Sequence, residues 1–352
     1  MDCITQRLPV IRHSREGGNP VIESPEIFFR AFLLHMILLH HMFRTMTEDY
    51  SFKQFAGTFK KMAAGFSEHA VYKTPSSGKN RLVYSGSAPD IYLFQANCLE
   101  MMDAIAAKYP HGCFDMIFAD PPYFLSNGGI TCQAGKMVSV NKGDWDKSAG
   151  PEVNHTFNLE WLSRCQKLLK PNGTIWISGT MHVIYSIGYG LQQLGFKMLN
   201  DIVWEKPNPP PNLACRYFTH STEMVLWAAK NVKSKHTFNY SDMRKINGGK
   251  QMKSVWRFTS PTNPEKIHGK HPTQKPLALL ERCILASTNP DDFVLDPFSG
   301  SSSTGVACIK TGRSFCGIEL EDAYIDLSIK RLKDVNAPPA IPEKELAYEV
   351  GW

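Results

Sequence analysis

The turn Asp120-Pro121-Pro122-Tyr123 constrains this chain more than any other segment. It follows an apolar run, residues 114–119, that predicts a buried strand. Each proline fixes its own φ and restricts the residue before it, so the turn holds a carboxylate, carbonyl groups and an aromatic ring in set directions. A planar amine with hydrogens to donate and a ring to stack satisfies all of these groups. For the tetrapeptide alone, a strand-ending turn without chemistry is the alternative.

A second segment of small residues follows another short apolar strand, residues 293–295. It runs Asp296-Pro297-Phe298-Ser299-Gly300-Ser301-Ser302-Ser303-Thr304-Gly305 and leads into a helical pattern. Small residues between a strand and a helix allow the backbone to approach a ligand at the helix N-terminus. Glu319 ends the next strand about 20 residues on, where an acid binds ribose hydroxyls in dinucleotide folds. The pattern predicts a nucleotide-type pocket.

Strand patterns alternate with helical patterns between residues 91 and 332. The predicted strands are residues 91–95, 114–119, 174–178, 199–204, 224–228, 293–295 and 314–318, and the predicted helices include residues 99–108, 157–169, 183–194, 277–287 and 324–332. This alternation predicts an α/β fold: a mostly parallel sheet with helices on both faces and ligands at the carboxyl ends of the strands. Both motifs fall at such ends.

The two motifs together resemble those of the DNA N6-adenine methyltransferases. Their order, with the Asp-Pro-Pro-Tyr turn first, resembles the beta group, and within it the second adenine methyltransferases of DpnII-type restriction systems. The likeness runs from Ile91 to Lys333 and includes residues 124–130, 144–146, 204–209, 216–223 and 271–276. It implies a circularly permuted Rossmann-like methyltransferase sheet that binds S-adenosyl-L-methionine and DNA.

The resemblance also implies a reaction, the transfer of a methyl group to N6 of a DNA adenine in GATC, without a metal ion. It assigns Asp120 and the carbonyl of Pro121 to the amino hydrogens, with Pro122 in the same turn, and Tyr123 to stacking on the extruded adenine. It assigns the cofactor to Asn97, Lys275, Asp296, Phe298, Ser299, Gly300, Ser302 and Glu319.

Two residues of the expected cofactor site depart from the family pattern. Ser302 stands where the loop often has a second glycine, so its side chain must fit or point away from the ligand. Asn97 stands where relatives usually carry an aspartate near the adenine of the cofactor. An amide oxygen can still accept a hydrogen bond from an amino group. Weaker cofactor binding is therefore expected, not its loss.

Positive charge is concentrated between Ala229 and Lys275, where eleven lysines and arginines occur with two acids. The aromatic residues interleaved with them are Phe238, Tyr240, Trp256 and Phe258. Such a segment suits DNA phosphates and bases, so residues 229–275 are the predicted target-recognition region. The alternative is a solvated basic face whose aromatic residues lie in a small core.

The chain divides into four predicted regions. Residues 1–45 are expected to be a non-native N-terminal extension, because residues 12–20 resemble a translated bacterial intergenic repeat. Residues 46–90 are a lead-in segment, residues 91–335 the methyltransferase domain and residues 336–352 a loose tail. The apolar stretch near the N-terminus is interrupted by charge and histidines, so no membrane span is predicted.

The nine cysteines show neither a C-x-x-C pair nor metal-ligand spacing, which is typical of free thiols in a reducing compartment and favours the cytoplasm. The expected partners are double- or single-stranded DNA and a cognate restriction endonuclease, and a homodimer is left open. Three rival functions also stay open. N4-cytosine methyltransferases share the architecture but more often carry serine at the position of Asp120. Glutamine-amide methyltransferases usually carry asparagine there, and a DNA-binding relative without catalysis is the third.

Overall fold

A sheet of nine strands forms the centre of the part of the chain that a computed structural model describes. The described residues are 80–87, 89–126, 146–212 and 214–335, with the backbone alone of 130–133, 136–139 and 336. The expectations for the N-terminal extension, for most of the lead-in and for the tail after residue 336 lie outside them. None of the helices formed by the described residues has the length and apolar character needed to span a bilayer.

Strands and helices alternate along most of the described chain, which confirms the predicted α/β fold. The strands are β1 (Arg81–Ser87), β2 (Asp90–Gln95), β3 (Phe114–Ala119), β4 (Ile130–Gln133), β5 (Lys136–Ser139), β6 (Leu169–Gly179), β7 (Lys197–Glu205), β8 (Thr222–Ala229), β9 (Val255–Arg257), β10 (Phe293–Asp296) and β11 (Ser314–Glu319). The helices are α1 (Cys98–Lys108), α2 (Pro151–Leu168), α3 (Ile184–Gln193), α4 (Tyr240–Ile246), α5 (Leu277–Ser287), α6 (Ser303–Thr311) and α7 (Asp322–Asn336).

The order of the strands places the two sequence motifs side by side. It is β1-β2-β11-β10-β3-β6-β8-β7-β9. Neighbours from β2 to β6 are parallel, whereas β8 is antiparallel to β6 and β7, and β1 is antiparallel to β2. β3 and β10 are adjacent, with Met116 opposite Val294 and Ile117 opposite Leu295. The strand entering the Asp-Pro-Pro-Tyr turn therefore lies beside the strand entering the small-residue loop, as the permuted order predicts.

Two groups of helices pack on this sheet. Helices α1, α2 and α3 contact one another in sequence, and α4, α5, α6 and α7 form the second group. Met116 and Phe118 of β3 share a buried cluster with apolar residues of α5 and α6. Within the same cluster the ring of Trp176 on β6 stacks on Trp227 of β8, with centroids 4.6 Å apart. Burial of each large apolar side chain contributes about 1.5–3 kcal/mol, so this core holds the sheet that presents both motifs.

Local sequence determines where several helices begin and end. Asn97 caps α1, because its side-chain oxygen accepts hydrogen bonds from the backbone N–H groups of Leu99, at 2.9 Å, and of Glu100, at 3.4 Å. Pro151 is the first residue of α2, where a backbone N–H would make no intrahelical hydrogen bond, so the missing N–H of proline is tolerated there. Gly312 ends α6 at φ +71°, a conformation that glycine adopts without strain.

The structure extends or adds several elements beyond the sequence predictions. Helix α2 begins at Pro151 and not at residue 157, and β6 begins at Leu169 and not at residue 174. β1 pairs with β2, so the sheet begins within the lead-in segment. The stretch from residue 124 to residue 147 lacks strong periodicity, which predicts a long loop that orders over the flipped adenine when DNA binds. β4 and β5 form an antiparallel ribbon within it. That ordering stays a prediction.

The basic region contains helix α4 and strand β9, neither of which was predicted. β9 is an edge strand that pairs in parallel with β7. Trp256 of β9 is buried, 6.0 Å from the ring of Trp176, so it belongs to the core. Phe238 and Tyr240 are 46% and 43% exposed. The aromatic residues are therefore divided between the core and the surface, and DNA recognition by residues 229–275 stays a prediction.

Candidate active site

The carboxylate of Asp120 stands immediately after β3 at the centre of a hydrogen-bond network. Its Oδ1 accepts bonds from the Tyr123 hydroxyl and from the Ser178 hydroxyl, both at 2.6 Å. Its Oδ2 accepts a bond from the Lys275 ammonium, also at 2.6 Å. Lys275 also donates to the Tyr123 hydroxyl at 3.1 Å. Three segments, from β3, β6 and the start of α5, are thus joined at one acid.

A second acid extends this network toward β7 and β8. Glu223 forms an ion pair with Lys206, and its Oε2 lies 3.9 Å from the ammonium of Lys275. The side chains of Glu223 and Lys275 are 12% and 6% exposed. Lys206 also lies over the ring of Trp204, 4.6 Å from its centroid. The positive and negative groups alternate, so the network is close to neutral.

The network determines the protonation states of its members. Burial raises the pKa of Asp120, but the charge of Lys275 and hydrogen bonds from Lys275, Ser178 and Tyr123 lower it further, so that it lies below its usual value. Burial, together with the charge of Asp120, raises the pKa of Tyr123 well above 10. At neutral pH, Asp120 is therefore an ionised hydrogen-bond acceptor and Tyr123 a neutral donor.

Asp146 fixes the backbone of the catalytic turn, a role that the sequence did not reveal. Its Oδ1 accepts bonds from the N–H groups of Tyr123 and Phe124, both at 2.8 Å. Its Oδ2 accepts bonds from the N–H of Leu125 at 3.3 Å and from the hydroxyl of Ser126 at 2.9 Å. Asp146 is fully buried, and it holds Phe124 at φ +58°, an uncommon conformation for a residue with a side chain. Hydrogen bonds to Asp146 thus fix the backbone at the end of the Asp-Pro-Pro-Tyr turn and just after it.

The loop after β10 bends sharply before α6 begins. Asp296 accepts hydrogen bonds from the Phe298 N–H, at 3.0 Å, and from the Thr304 hydroxyl, at 2.6 Å, so it bridges the two ends of the bend. Ser302 stands at φ +53° and is fully buried, and its hydroxyl lies 2.9 Å from that of Ser299. Ser302 is not among the residues that line the adjoining cavity. Of the two possibilities for its side chain, the structure shows the one that points away.

Two side chains of helix α7 donate hydrogen bonds to the same loop. Arg331, which is buried, donates from one nitrogen to the carbonyl and hydroxyl of Ser301, at 2.6 and 2.8 Å, and to the hydroxyl of Ser303, at 2.9 Å. Ser328 donates to the carbonyl of Gly300 at 2.8 Å. Gly300 has φ +53°, and a Cβ there would lie 3.1 Å from the His271 ring. Sequence reasoning did not identify Arg331.

The carboxylate of Glu319, at the end of β11, also accepts a hydrogen bond from this loop. Its Oε2 accepts a bond from the Gly300 N–H at 2.7 Å. Its Oε1 accepts bonds from the N–H groups of Leu320, at 2.9 Å, and Glu321, at 2.8 Å. Burial raises the pKa of Glu319 to about 7, although these hydrogen bonds act to lower it. Burial likewise raises the pKa of Asp296 to about 7. Both acids therefore change charge near neutral pH.

One cavity of about 300 Å³ brings most of the predicted site residues together, and this volume is at the lower end for small-molecule sites. The predicted residues that line it are Asn97, Asp120, Pro122, Lys275, Asp296, Phe298, Ser299, Gly300 and Glu319. Pro121, Tyr123 and Ser302 are not in the lining. Tyr123 is 4% exposed with its hydroxyl on Asp120, so its stacking on adenine stays a prediction.

The cavity has the chemistry that an adenosyl sulfonium requires. Phe157 and Phe298 contribute rings, and Asp120, Asp296 and Glu319 contribute carboxylates that can face ribose hydroxyls or a positively charged sulfur. The oxygen of Asn97 is used in capping α1, so the side chain turns its amide nitrogen, a donor, to any other partner. The residues present therefore fit the cofactor that the sequence predicts.

Comparison with known proteins identifies the family. The DNA methylase family N6_N4_Mtase matches residues 114–330. The chain is 57% identical over 223 residues to type II methyltransferase M2.DpnII of Streptococcus pneumoniae (63% of this chain, 83% of that protein). It is 58% identical over 241 residues to type II methyltransferase M2.LlaDCHI of Lactococcus lactis subsp. cremoris (68% and 88%). A crystal structure of an M1.HpyAVI–SAM complex is 34% identical, with a TM-score of 0.53, and covers 69% of this chain and 98% of that one.

The chain belongs to this DNA methylase family. The predicted circularly permuted, Rossmann-like fold is confirmed, as is the prediction of a DNA adenine methyltransferase similar to the M2 enzymes of DpnII-type systems. The cofactor is S-adenosyl-L-methionine. The seven cysteines for which the structure describes a side chain are unpaired, in agreement with the predicted free thiols.

Proposed function

We propose that this enzyme methylates N6 of adenine within GATC and that Asp120 holds the acceptor amine. The observation that carries this proposal is that Asp120 and the loop from Asp296 to Gly300 line the same cavity. The GATC target rests on the resemblance to DpnII-type enzymes. The type II names of the relatives further support a restriction–modification setting with a cognate endonuclease, and DNA as substrate supports a cytoplasmic location.

Asp120 acts as an acceptor that orients the amine and not as a general base. Among the described residues, three donors bond to its carboxylate, which has about four lone-pair sites. One site is left for a hydrogen of N6, and the carbonyl of Pro121 accepts the other. Because the pKa of Asp120 is lowered, the acid is a weak base and a stable negative partner for an amine that becomes positive.

The bound cofactor supplies a methyl group on a positively charged sulfur. The lone pair of N6 forms the new bond to the methyl carbon while the carbon–sulfur bond breaks, and one amino proton then leaves to water. Phe298 packs against the adenosyl group, Glu319 accepts from ribose hydroxyls, and Asp296 lies near the positive charge. Tyr123 stacks on the extruded adenine, and this stacking offsets part of the few kcal/mol that unstacking costs.

Protection of DNA from cleavage tests the target and the reaction together. DNA from a host that expresses this chain should resist an endonuclease that cuts only unmethylated GATC, and nucleoside analysis should show N6-methyladenine. Asp120→Ala should abolish both results, whereas an Asp103→Ala control on the exposed face of α1 should leave them unchanged. N4-methylcytosine in the nucleosides would overturn the choice of adenine, and protection at another sequence would overturn GATC.

The residues between 229 and 275 are the proposed surface for recognition of the target. Exposed lysines and arginines there, such as Arg244 and Lys253, can neutralise phosphates, and the half-exposed rings of Phe238 and Tyr240 can contact bases. Exchange of this segment with that of a relative of different target should transfer the target sequence, as read by methylation-aware sequencing. An unchanged target after the exchange would place recognition elsewhere.

A further inference from the structure

The connection between β7 and β8, residues 206–221, leaves the sheet at the edge where Asp120 lies. Glu205, the last residue of β7, pairs with Thr222, the first residue of β8. β8 is antiparallel to β6, and Met224 near its start is opposite Gly179 at the end of β6. Ser178, next to Gly179, donates to Asp120. The connection therefore begins and ends beside the catalytic carboxylate.

The base of this connection is tied to the catalytic network. The N–H of Lys206 donates to the carbonyl of Ser221 at 2.7 Å, which closes the two ends of the connection. The ammonium of Lys206 pairs with Glu223, and Glu223 lies 3.9 Å from Lys275, the partner of Asp120. A ligand that moves the connection would thus act on the groups that hold the acid.

The tip of the connection presents two aromatic rings to solvent. Tyr217 is 61% exposed and Phe218 is 96% exposed. The amide of Asn212 clamps the tip, because its nitrogen donates to the carbonyl of Tyr217 at 2.6 Å and its oxygen accepts from the N–H of Ala214 at 3.0 Å. Four prolines precede this clamp, at positions 207, 209, 210 and 211, and each limits the backbone. An exposed ring on such a restricted turn loses little conformational entropy when it stacks.

The charges of the connection identify its partner. Lys206 and Arg216 are its cations, and it contains no aspartate or glutamate. Arg216, adjacent to the two rings, is exposed. A cation beside an exposed aromatic pair suits a polyanion with stackable bases, and DNA is the substrate of this enzyme family.

We propose that Phe218, supported by Tyr217, stacks into the target duplex at the position that the flipped adenine vacates. The inference rests on the proposed function and extends it, because extrusion of the adenine leaves an unstacked gap near Asp120, at the sheet edge from which the connection leaves. Arg216 binds a phosphate that flanks the gap, and the Asn212 clamp fixes the direction of both rings. Aromatic wedges lower the free energy of opened base steps in this way.

The test compares two duplexes that differ only in the cost of extruding the adenine. One is a fully paired GATC duplex, and in the other the thymine opposite the target adenine is replaced by an abasic site. Methylation kinetics are measured for the wild type, Phe218→Ala, Phe218→Trp and the matched control Tyr185→Ala, which removes a ring that is 74% exposed on α3. A duplex with 2-aminopurine as the target base reports extrusion by its fluorescence.

Phe218→Ala should lower kcat/KM on the paired duplex by about tenfold or more, the loss expected for one stacked base, and on the abasic duplex by less than about threefold. It should also lower the 2-aminopurine signal, while Phe218→Trp and Tyr185→Ala behave as the wild type. Equal losses on both duplexes, no loss on either, or a change in oligomeric state on removal of the ring would overturn the inference while the proposed function stands. A wild type that fails to methylate either duplex would overturn both.

Discussion

The ammonium of Lys275 lies 2.6 Å from Oδ2 of Asp120, although 155 residues separate the two in the chain. The side chains are 6% and 12% exposed, so the pair is largely withdrawn from solvent. Burial alone raises the pKa of Asp120, and the positive charge of Lys275 is the chief cause that lowers it instead. Lys275, which lines the same cavity as the loop after β10, thus sets the charge of Asp120, the acid proposed to hold the acceptor amine.

Lys275→Met is expected to lower methyl transfer at neutral pH and to move the acid limb of the kcat/KM profile to higher pH, because Asp120 loses the cation that lowers its pKa. Removal of one partner of such a buried pair should also destabilise the fold by about 3 kcal/mol or more. The measurement is a pH–rate profile. Lys275→Arg is the matched control, since it keeps the charge. An unchanged acid limb in Lys275→Met would contradict this role.

The same pair affects stability at low pH. A carboxyl group with a lowered folded-state pKa contributes stability above its unfolded pKa, near 3.8, and that contribution is lost as the pH falls through the folded value. The wild type should therefore lose this part of its stability only in acid. In Lys275→Met burial dominates, so stability should fall as the pH rises toward neutral. Thermal unfolding across pH distinguishes the two slopes.

Asp146→Ala is expected to slow methyl transfer and to leave the affinity for S-adenosylmethionine within about twofold, since Asp146 fixes the catalytic turn and not the cofactor loop. The loss of an acceptor for several donors should cost about 2–4 kcal/mol of unfolding free energy. Single-turnover kinetics and calorimetric binding measure the two effects. Asp146→Asn retains one oxygen and should be intermediate. A parallel loss of cofactor affinity would show that Asp146 acts through both loops.

Cofactor binding should release protons near pH 7. Burial raises the pKa of Asp296 and Glu319 to about 7 from 3.8 and 4.5. The stability that each contributes is present below its unfolded value and is lost as the pH rises through 7. A cationic sulfonium favours the ionised acids, so binding of S-adenosylmethionine should tighten as the pH rises.

Calorimetry in two buffers of different ionisation enthalpy counts the protons released on binding. S-adenosylhomocysteine, which lacks the positive sulfur, is the matched control ligand and should release fewer protons than S-adenosylmethionine. Asp296→Asn should reduce the difference between the two ligands. Equal proton release by both ligands would mean that the acids do not sense the charge of the sulfur.

Arg331→Met is expected to weaken cofactor binding by about tenfold, because the cofactor loop loses charge-assisted hydrogen bonds to Ser301 and Ser303. Arg331→Lys retains the charge and should recover part of the affinity. DNA binding without cofactor should be unaffected by either change, which separates a loosened loop from general unfolding. Equilibrium binding of the cofactor and of a DNA duplex gives both values.

The strands and helices that carry the site could be predicted from local sequence pattern. The hydrogen bonds that fix its loops could not, because they join residues far apart in the chain. Residues 114–119 and 277–287 were predicted with their observed limits, because an apolar run or an apolar helical face was bounded there by proline, glycine or polar residues. The short β9 was missed because pairing with β7, and not its three residues, makes it a strand. The roles of Asp146 and Arg331 were missed because an acid or an arginine that bonds a distant loop has no local signature that distinguishes it from a surface charge.

Strand β10, which lies between β3 and β11, makes assembly of this enzyme dependent on its most distant parts. A nascent chain that has emerged only as far as the basic region contains the complete Asp-Pro-Pro-Tyr turn. It lacks β10, so the edge of β3 that pairs with β10 has no partner strand. Contacts of such sequence separation form slowly, since a long loop must close before they are made. Truncated translation products should therefore be devoid of methyl transfer and not weakly active, and the exposed flank of β3 should make them clients of chaperones.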